Sequence, residues 1–225
     1  MDPNSVRQQW EERSGEYSPD YYAYYGPDET SELLRARLDL AVASDASVLE
    51  LGCSSGRHLA RLHEAGYEDL HGIEINDEAL SVMEETYPDL AAAGTFHIDA
   101  IEETVPEFDD GQFDVVFSVE TLQHLHPDDE WVFDEVARIT GDRLITVENE
   151  VSDESESGES GETDESDGSE TDVNYVRDEF PLYYRNWNRI FTERGFAEID
   201  SETLDRDTFR VFRPVESAAD SASQS

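Results

Sequence analysis

The chain has 225 residues, enough for one substantial core, and α/β chains of this length are commonly single domains. Its 15 basic residues, every one arginine, face 56 acidic ones, and the net charge of -41 disfavours nucleic acid as a partner. No run of eighteen apolar residues occurs and the first thirteen residues hold no apolar stretch, so no membrane span or export signal is expected; a lone cysteine excludes an internal disulfide and fits a reducing cytoplasm. Ten of the acids fall in the tract 152–172, which contains no base, and setting them aside leaves -31 on the remainder. Charge spread this evenly favours a halophilic protein, hydrated in concentrated salt, over one that meets a basic partner through a single acidic block.

Taken in order, residues 1–29 form an aromatic segment with Trp10, Tyr17, Tyr21, Tyr22, Tyr24 and Tyr25, broken by Gly15, Pro19 and Pro27. A helix follows, capped by Thr30 or Ser31, with Leu33, Leu34, Leu38 and Leu40 on its apolar face. The apolar run 48–51 reads as a strand, and Gly52 to Gly56 as a small-residue turn into a helix with Leu59 and Leu62 inward. Gly66 stops that helix, 70–75 makes a second strand ending near Glu74, and Asn76 or Asp77 caps a helix reaching Tyr87, where Pro88 closes the region. A short third strand, 95–98, leads into Asp99, and 113–119 is an apolar strand of the buried parallel type. The spacing predicts a helix over 128–139, a fifth strand over 143–147, and a helix marked by Leu182, Tyr183, Trp187, Ile190 and Phe191. Between the last two, 151–172 holds only Ser, Gly, Thr and acids after Val151 and is expected to be a disordered loop leaving the ligand face of the sheet. Strands over 196–204 and 208–213 close the chain, and 214–225 is a polar tail.

The strand, tight turn and helix of 47–62 let a ligand lie against bare backbone, with the free N–H groups of the helix turned toward it. Counted from Gly52, Ser54 and Arg57 occupy the second and third glycine positions of a dinucleotide fingerprint, which argues against a dehydrogenase. Glu50, Gly52 and Gly56, with Ser54 between the glycines, instead resemble the first motif of the class I S-adenosylmethionine-dependent methyltransferases. The resemblance implies a Rossmann-like, doubly wound α/β fold over 30–213, its seven strands mostly parallel with an antiparallel last strand. It also implies S-adenosylmethionine as cofactor and methyl transfer to an unidentified small-molecule acceptor.

The same resemblance assigns Glu74 to the ribose diol, and Asp99 with the backbone N–H of Ala100 to the adenine. Cys53 belongs to the ligand turn but reads as a packing residue rather than a nucleophile. Ser118, with the strand end it occupies, would face the methionine portion. After that strand, Glu120, Gln123 and His124 partly resemble the E-x-x-E-H of ubiquinone-type O-methyltransferases, yet Gln123 removes one charged ligand and no metal is expected. His124 reads either as a general base with a pKa near neutrality or as a loop hydrogen-bonder. The aromatic leader resembles the lid of small-molecule methyltransferases, or it plugs the side of the sheet. Two other functions stay open at this point: a regulatory adenosylmethionine binder without catalysis, and an interaction protein acting through its acidic loop.

Overall fold

The computed structural model describes residues 2–150, 173–176 and 180–215. Seven strands form one sheet: β1 (Ser47–Leu51), β2 (Asp69–Glu74), β3 (Thr95–Ile98), β4 (Phe113–Val119), β5 (Thr140–Glu148), β8 (Phe196–Thr203) and β9 (Thr208–Pro214). Their order is β3-β2-β1-β4-β5-β9-β8. The first five run parallel and β9 lies antiparallel to both its neighbours, so the order reverses at β1, where β2 flanks one side and β4 the other. In open α/β sheets that reversal opens a crevice at the carboxyl ends of the strands.

Both faces of the sheet are covered, which is why its central strands read as continuous apolar runs. Leu49 and Leu51 of β1 and Val116 of β4 pack on one side with Phe133, Val136, Trp187 and Phe191. Val48, Val115, Phe117, Ile145 and Val147 pack on the other with Leu34, Leu38, Leu59 and Leu62. Each such side chain, once fully buried, contributes about 1.5–3 kcal/mol. The second layer consists of α3 (Glu29–Ala41) and α4 (Arg57–Glu64), and the first holds α8 (Val132–Ile139) and α9 (Trp187–Thr192).

Local chemistry moved several predicted boundaries. Asp28, not Thr30 or Ser31, caps α3, because its carboxylate accepts from Ser31 N at 3.0 Å while the Ser31 hydroxyl accepts from Asp28 N at 3.1 Å. Leu40 is 87% exposed and faces water rather than the core. Pro88 opens a helix instead of ending one: after α5 (Glu78–Thr86), α6 (Pro88–Ala93) starts on it, where a missing N–H costs nothing. Asn76 makes the capping contact to α5 by accepting from Glu78 N at 3.0 Å. A short helix, α7 (Ile101–Thr104), follows β3, and α8 begins four residues later than its periodicity suggested, after a single 3₁₀ turn at Pro127–Asp129. Leu182 and Tyr183 belong to a strand, β7 (Phe180–Tyr183), paired antiparallel with β6 (Val173–Val176). Two helices, α1 (Pro3–Glu11) and α2 (Pro19–Tyr25), fill the N-terminal segment. The expected loop over 151–172 and nearly all of the expected tail lie outside the described residues.

Candidate active site

A cavity of about 420 Å³ opens at the carboxyl ends of β1, β2, β3 and β4, within the range that holds a nucleoside-sized ligand. Its floor begins at the turn after β1, where Gly52 (φ 70°), Ser54 (φ 48°) and Gly56 (φ 81°) are all left-handed. Gly52 must be glycine: a Cβ there would stand 2.4 Å from the Thr121 side chain. The turn is tied to β2, since Cys53 N donates to Ile73 O at 2.9 Å and Ser54 N donates to Glu74 Oε2 at 2.7 Å. Glu74 Oε1 accepts from Asn76 N at 2.9 Å, so two backbone donors orient the carboxylate and leave each oxygen a further lone pair. Burial holds its pKa above the ordinary carboxylate range.

Of the expected cofactor residues, Gly52, Glu74, Asp99 and Ala100 line the cavity, joined by Ser54, Ile75 and Ile101. Asp99 Oδ1 accepts from Ala100 N at 2.8 Å, so that N–H already has a partner and must exchange it to meet a ligand nitrogen. Glu50, Cys53, Gly56 and Ser118 do not line the cavity and act beneath it. Glu50 is 1% exposed, its Oε2 has no hydrogen-bond partner, and burial pushes its pKa well up against the opposing pull of Arg57. The Cys53 sulfur packs where a Cβ on Gly72 would come within 2.5 Å, and burial raises its thiol pKa, as suits a packing residue. Gly56 caps α4, and a Cβ there would meet Met83 Cε at 2.9 Å.

Ser118 is fully buried and donates to Glu148 Oε1 at 2.5 Å. Glu148 also accepts from Thr121 N (3.2 Å), Leu122 N (3.1 Å) and Gln123 N (3.2 Å). One buried carboxylate at the end of β5 therefore shapes the whole loop after β4, with burial lifting its pKa to about 7. Sequence reasoning missed it; the signal was an acid closing an otherwise apolar strand. Arg185 is buried, donating to Leu125 O at 2.7 Å and to Leu122 O at 3.4 Å and pairing with Glu130 at 3.6 Å. It braces the loop from behind.

The loop presents Glu120 (φ 48°), Gln123 and His124 to the cavity. His124 differs from a neutral-pH base: surrounding protein lowers its pKa to about 4. Its Nδ1 lies 2.9 Å from Pro181 O, a carbonyl that can only accept, so the ring is a neutral Nδ1–H tautomer with Nε2 left as an acceptor. Among the described residues no group of three or more His, Cys, Asp or Glu side chains is set to hold a metal. The N-terminal segment closes the remaining wall. Trp10 packs on His124 (4.7 Å between centroids) and on Phe180 (4.6 Å), and Asn76 Nδ2 donates to Arg13 O at 2.9 Å. Tyr17, Tyr22, Leu182 and Tyr184 complete it.

Residues 48–142 match the family model described as a methyltransferase domain. No curated protein matches the chain. Among solved structures, the chain is similar to magnesium protoporphyrin IX methyltransferase from Synechocystis PCC 6803 with bound S-adenosylhomocysteine, at 14% identity and a TM-score of 0.65, over 95% of this chain and 100% of that one. It is similar to the CcbJ methyltransferase from Streptomyces caelestis at 16% identity and a TM-score of 0.61, over 95% and 98% of the two chains. A chain of the Haloferax volcanii complex between the Trm112 methyltransferase activator and a methyltransferase is similar at 15% identity and a TM-score of 0.63, over 94% and 98%. These likenesses establish the shared Rossmann-like fold, and the family model matches the part of it from β1 into β5.

Proposed function

We propose that the protein is an enzyme that transfers a methyl group from S-adenosylmethionine to a small-molecule acceptor. The observation that carries this reading is the row of groups at the ends of three adjacent strands: the Gly52–Ser54 turn after β1, the Glu74 carboxylate after β2, and Asp99 with Ala100 after β3, all on one wall of one cavity. Their chemistry fits an adenosine. Glu74 would take the ribose diol on its free lone pairs, Asp99 and the Ala100 N–H the adenine edge, and Ile75 and Ile101 the faces of the ring.

When bound, the cofactor supplies an activated methyl on a sulfonium, so the protein has no covalent chemistry of its own to perform. Glu148, through its four hydrogen bonds, holds the loop after β4 against the turn after β1. Trp10, Tyr17, Tyr22 and Leu182 exclude water and orient an acceptor in the other half of the cavity. Neutral His124 offers Nε2 as a hydrogen-bond acceptor to that molecule, a positioning role rather than that of a base. We further read the N-terminal segment as the lid of the site, the even acidity as halophilic, and the lone buried thiol as suited to the cytoplasm; no helix among the described residues is long and apolar enough to cross a membrane.

Calorimetry in molar potassium chloride tests the reading: S-adenosylmethionine and S-adenosylhomocysteine should bind in the micromolar range and nicotinamide dinucleotides should not. Glu74→Ala should weaken that binding by about 1.5–3 kcal/mol, the loss of a charged acceptor. Preference for a nicotinamide dinucleotide would reject the assignment. Binding with no transfer to any acceptor in a cell extract supplied with labelled cofactor would favour a regulatory binder.

A further inference from the structure

The adenosine groups stand after β1, β2 and β3, so the residues that line the cavity after β4 and β5 belong to its acceptor half. Two neighbours in the loop after β4, Gln123 and His124, each bring one unanswered polar atom to that half. Gln123 is 3% exposed and is locked by Asn149 at the end of β5: its Oε1 accepts from Asn149 N at 2.8 Å and from Asn149 Nδ2 at 3.1 Å. A backbone N–H can only donate, so the atom it meets is the carboxamide oxygen, and Nε2 is left with two hydrogens to give. Among the described residues neither hydrogen meets an acceptor. The clamp is itself held, since Asn149 Nδ2 donates to Asp207 Oδ1 at 2.7 Å and Asn149 O accepts from Trp187 Nε1 at 2.9 Å. Gln123 N, donating to Glu148 Oε2 at 3.2 Å, fixes the backbone below. His124 shows the opposite need. Its Nδ1–H is taken by Pro181 O at 2.9 Å, so Nε2 carries a lone pair to which no described residue donates. Unpaired polar groups on buried side chains cost the fold stability, and a pair retained at a cavity wall points to a ligand that answers both.

We propose that Gln123 and His124 recognise an uncharged hydroxyl on an aromatic methyl acceptor, with Gln123 Nε2 donating to it and His124 Nε2 accepting from it. The inference rests on the methyltransferase reading and names the substrate class of the same site. A hydroxyl both donates and accepts, so it meets two opposite demands. A carboxylate would turn its lone pairs toward that of His124 and bring no hydrogen. An ammonium would turn its hydrogens toward those of Gln123, and an ether would leave His124 unanswered. Trp10, packed on His124 at 4.7 Å between centroids, supplies an aromatic face for the body of the molecule, with Tyr17 and Tyr22 on the same wall. Gln123 and His124 touch the acceptor, and Asn149 is a positioning residue that acts through Gln123.

The charged groups around the cavity are matched within the protein. Arg206, from the turn joining β8 to β9, pairs with Glu120 Oε1 at 3.3 Å, which gives the carboxylate after β4 a cation from the wall itself. Arg13 Nε donates to Glu16 O at 2.6 Å, and its guanidinium lies 4.5 Å over the Phe180 ring. Toward β3, Arg7 lies 4.0 Å from Glu102 and 3.4 Å from Glu103, and Asp129 acts on the same Glu102. Glu148 lies beneath the loop, its oxygens taken by Ser118 and backbone donors. An ion placed against Gln123 and His124 would give up its hydration to two neutral groups, whereas a neutral hydroxyl gives up little.

The test uses four probes with one aromatic body: phenol, anisole, benzoate and benzylamine, titrated by calorimetry into the full chain loaded with S-adenosylhomocysteine near pH 7, where a phenolic hydroxyl is uncharged. Phenol should bind tighter than each of the others by about fivefold or more. Gln123→Glu keeps an oxygen for Asn149 and sets a second oxygen in place of Nε2, so it should weaken phenol by a similar factor and make benzylamine the tightest of the four. A structural role for Gln123 would not exchange one preference for another. His124→Phe should bring phenol down to the level of anisole. Anisole, benzoate or benzylamine binding as tightly as phenol to the unmodified chain would overturn the proposal, as would an unchanged order of probes in Gln123→Glu. If a variant does not fold, the four-probe comparison on the unmodified chain decides alone. Binding of S-adenosylhomocysteine without a phenol preference would defeat this inference and spare the methyltransferase reading, whereas failure to bind S-adenosylhomocysteine would defeat both.

Discussion

His124 illustrates how burial rewrites the chemistry a residue type suggests. Its pKa of about 4 lies below the ordinary value near 6.5, so the folded state disfavours the imidazolium. A depressed folded pKa contributes stability that is full above pH 6.5 and is lost as pH falls toward 4. Glu148 and Asp207, both lifted to about 7, act in the opposite sense: their contribution is full below the ordinary carboxylate range and is lost as pH rises through 7. Comparing His124→Gln with the parent chain isolates one of these opposed effects. The stability difference should be constant above pH 6.5 and shrink between 6.5 and 4, as read from denaturation midpoints; a difference that does not change with pH would place the titrating group elsewhere. Glu148→Gln should be most harmful above pH 7, where the parent group is a carboxylate, because an amide NH₂ in place of Oε2 faces Gln123 N, which then lacks an acceptor. The expected cost is about 1–3 kcal/mol, measured as a lowered melting midpoint.

At the level of elements, the turn after β1 and the loop after β4 form one unit, because Gly52 and Thr121 fill the same space. Gly52→Ala combines a left-handed conformation, costing roughly 1–2 kcal/mol for a residue with a Cβ, with a contact of 2.4 Å. We therefore expect a loss of stability beyond that strain and weaker binding of S-adenosylhomocysteine. Adding Thr121→Ala should recover the steric part and leave the backbone part. A double-mutant cycle on melting midpoints would show the coupling as non-additivity, and strict additivity would mean that the two loops do not constrain each other. The N-terminal helices are a second such unit, joined to the sheet through Asn76 and to β7 through Trp10 and Phe180.

Across the whole molecule, charge dominates. The arginines are spent locally: Arg37 ties α3 to β8 through Asp200 (2.7 Å) and Glu202 (3.0 Å), and Arg61 ties α4 to Glu32 of α3 at 2.5 Å. With 56 acids against 15 arginines most carboxylates repel one another, and the screening length of about 3 Å at 1 M salt would relieve that repulsion. Melting midpoints should rise steeply with potassium chloride. Deleting 152–172 removes ten charges and should lower the salt requirement in part. Equal stability in dilute buffer and molar salt would reject the halophilic reading.

Local pattern in the chain was enough to lay out the central strands of the sheet and the order of their carboxyl ends. Apolar runs such as 48–51 and 113–119, bounded by turn signals, read as buried strands, and the glycine turn, Glu74 and Asp99 follow successive strands and so fall along one edge of the sheet. The sequence also determined the net charge, which needs no coordinates. Tertiary structure alone decided which of the motif residues reach the cavity: Ser118 turns under the site while its strand neighbour Val119, on the opposite face, lines it, and Glu50 is buried within β1 while Gly52, in the turn beyond the strand end, lines it. It alone brought together partners distant in the chain, Glu148 beneath 118–123 and Arg206 beside Glu120, since neither separation follows any period. The state of His124 was likewise decided only there, for a pKa records what surrounds a ring, and Trp10 and Pro181 reach it from elements that no local pattern joins.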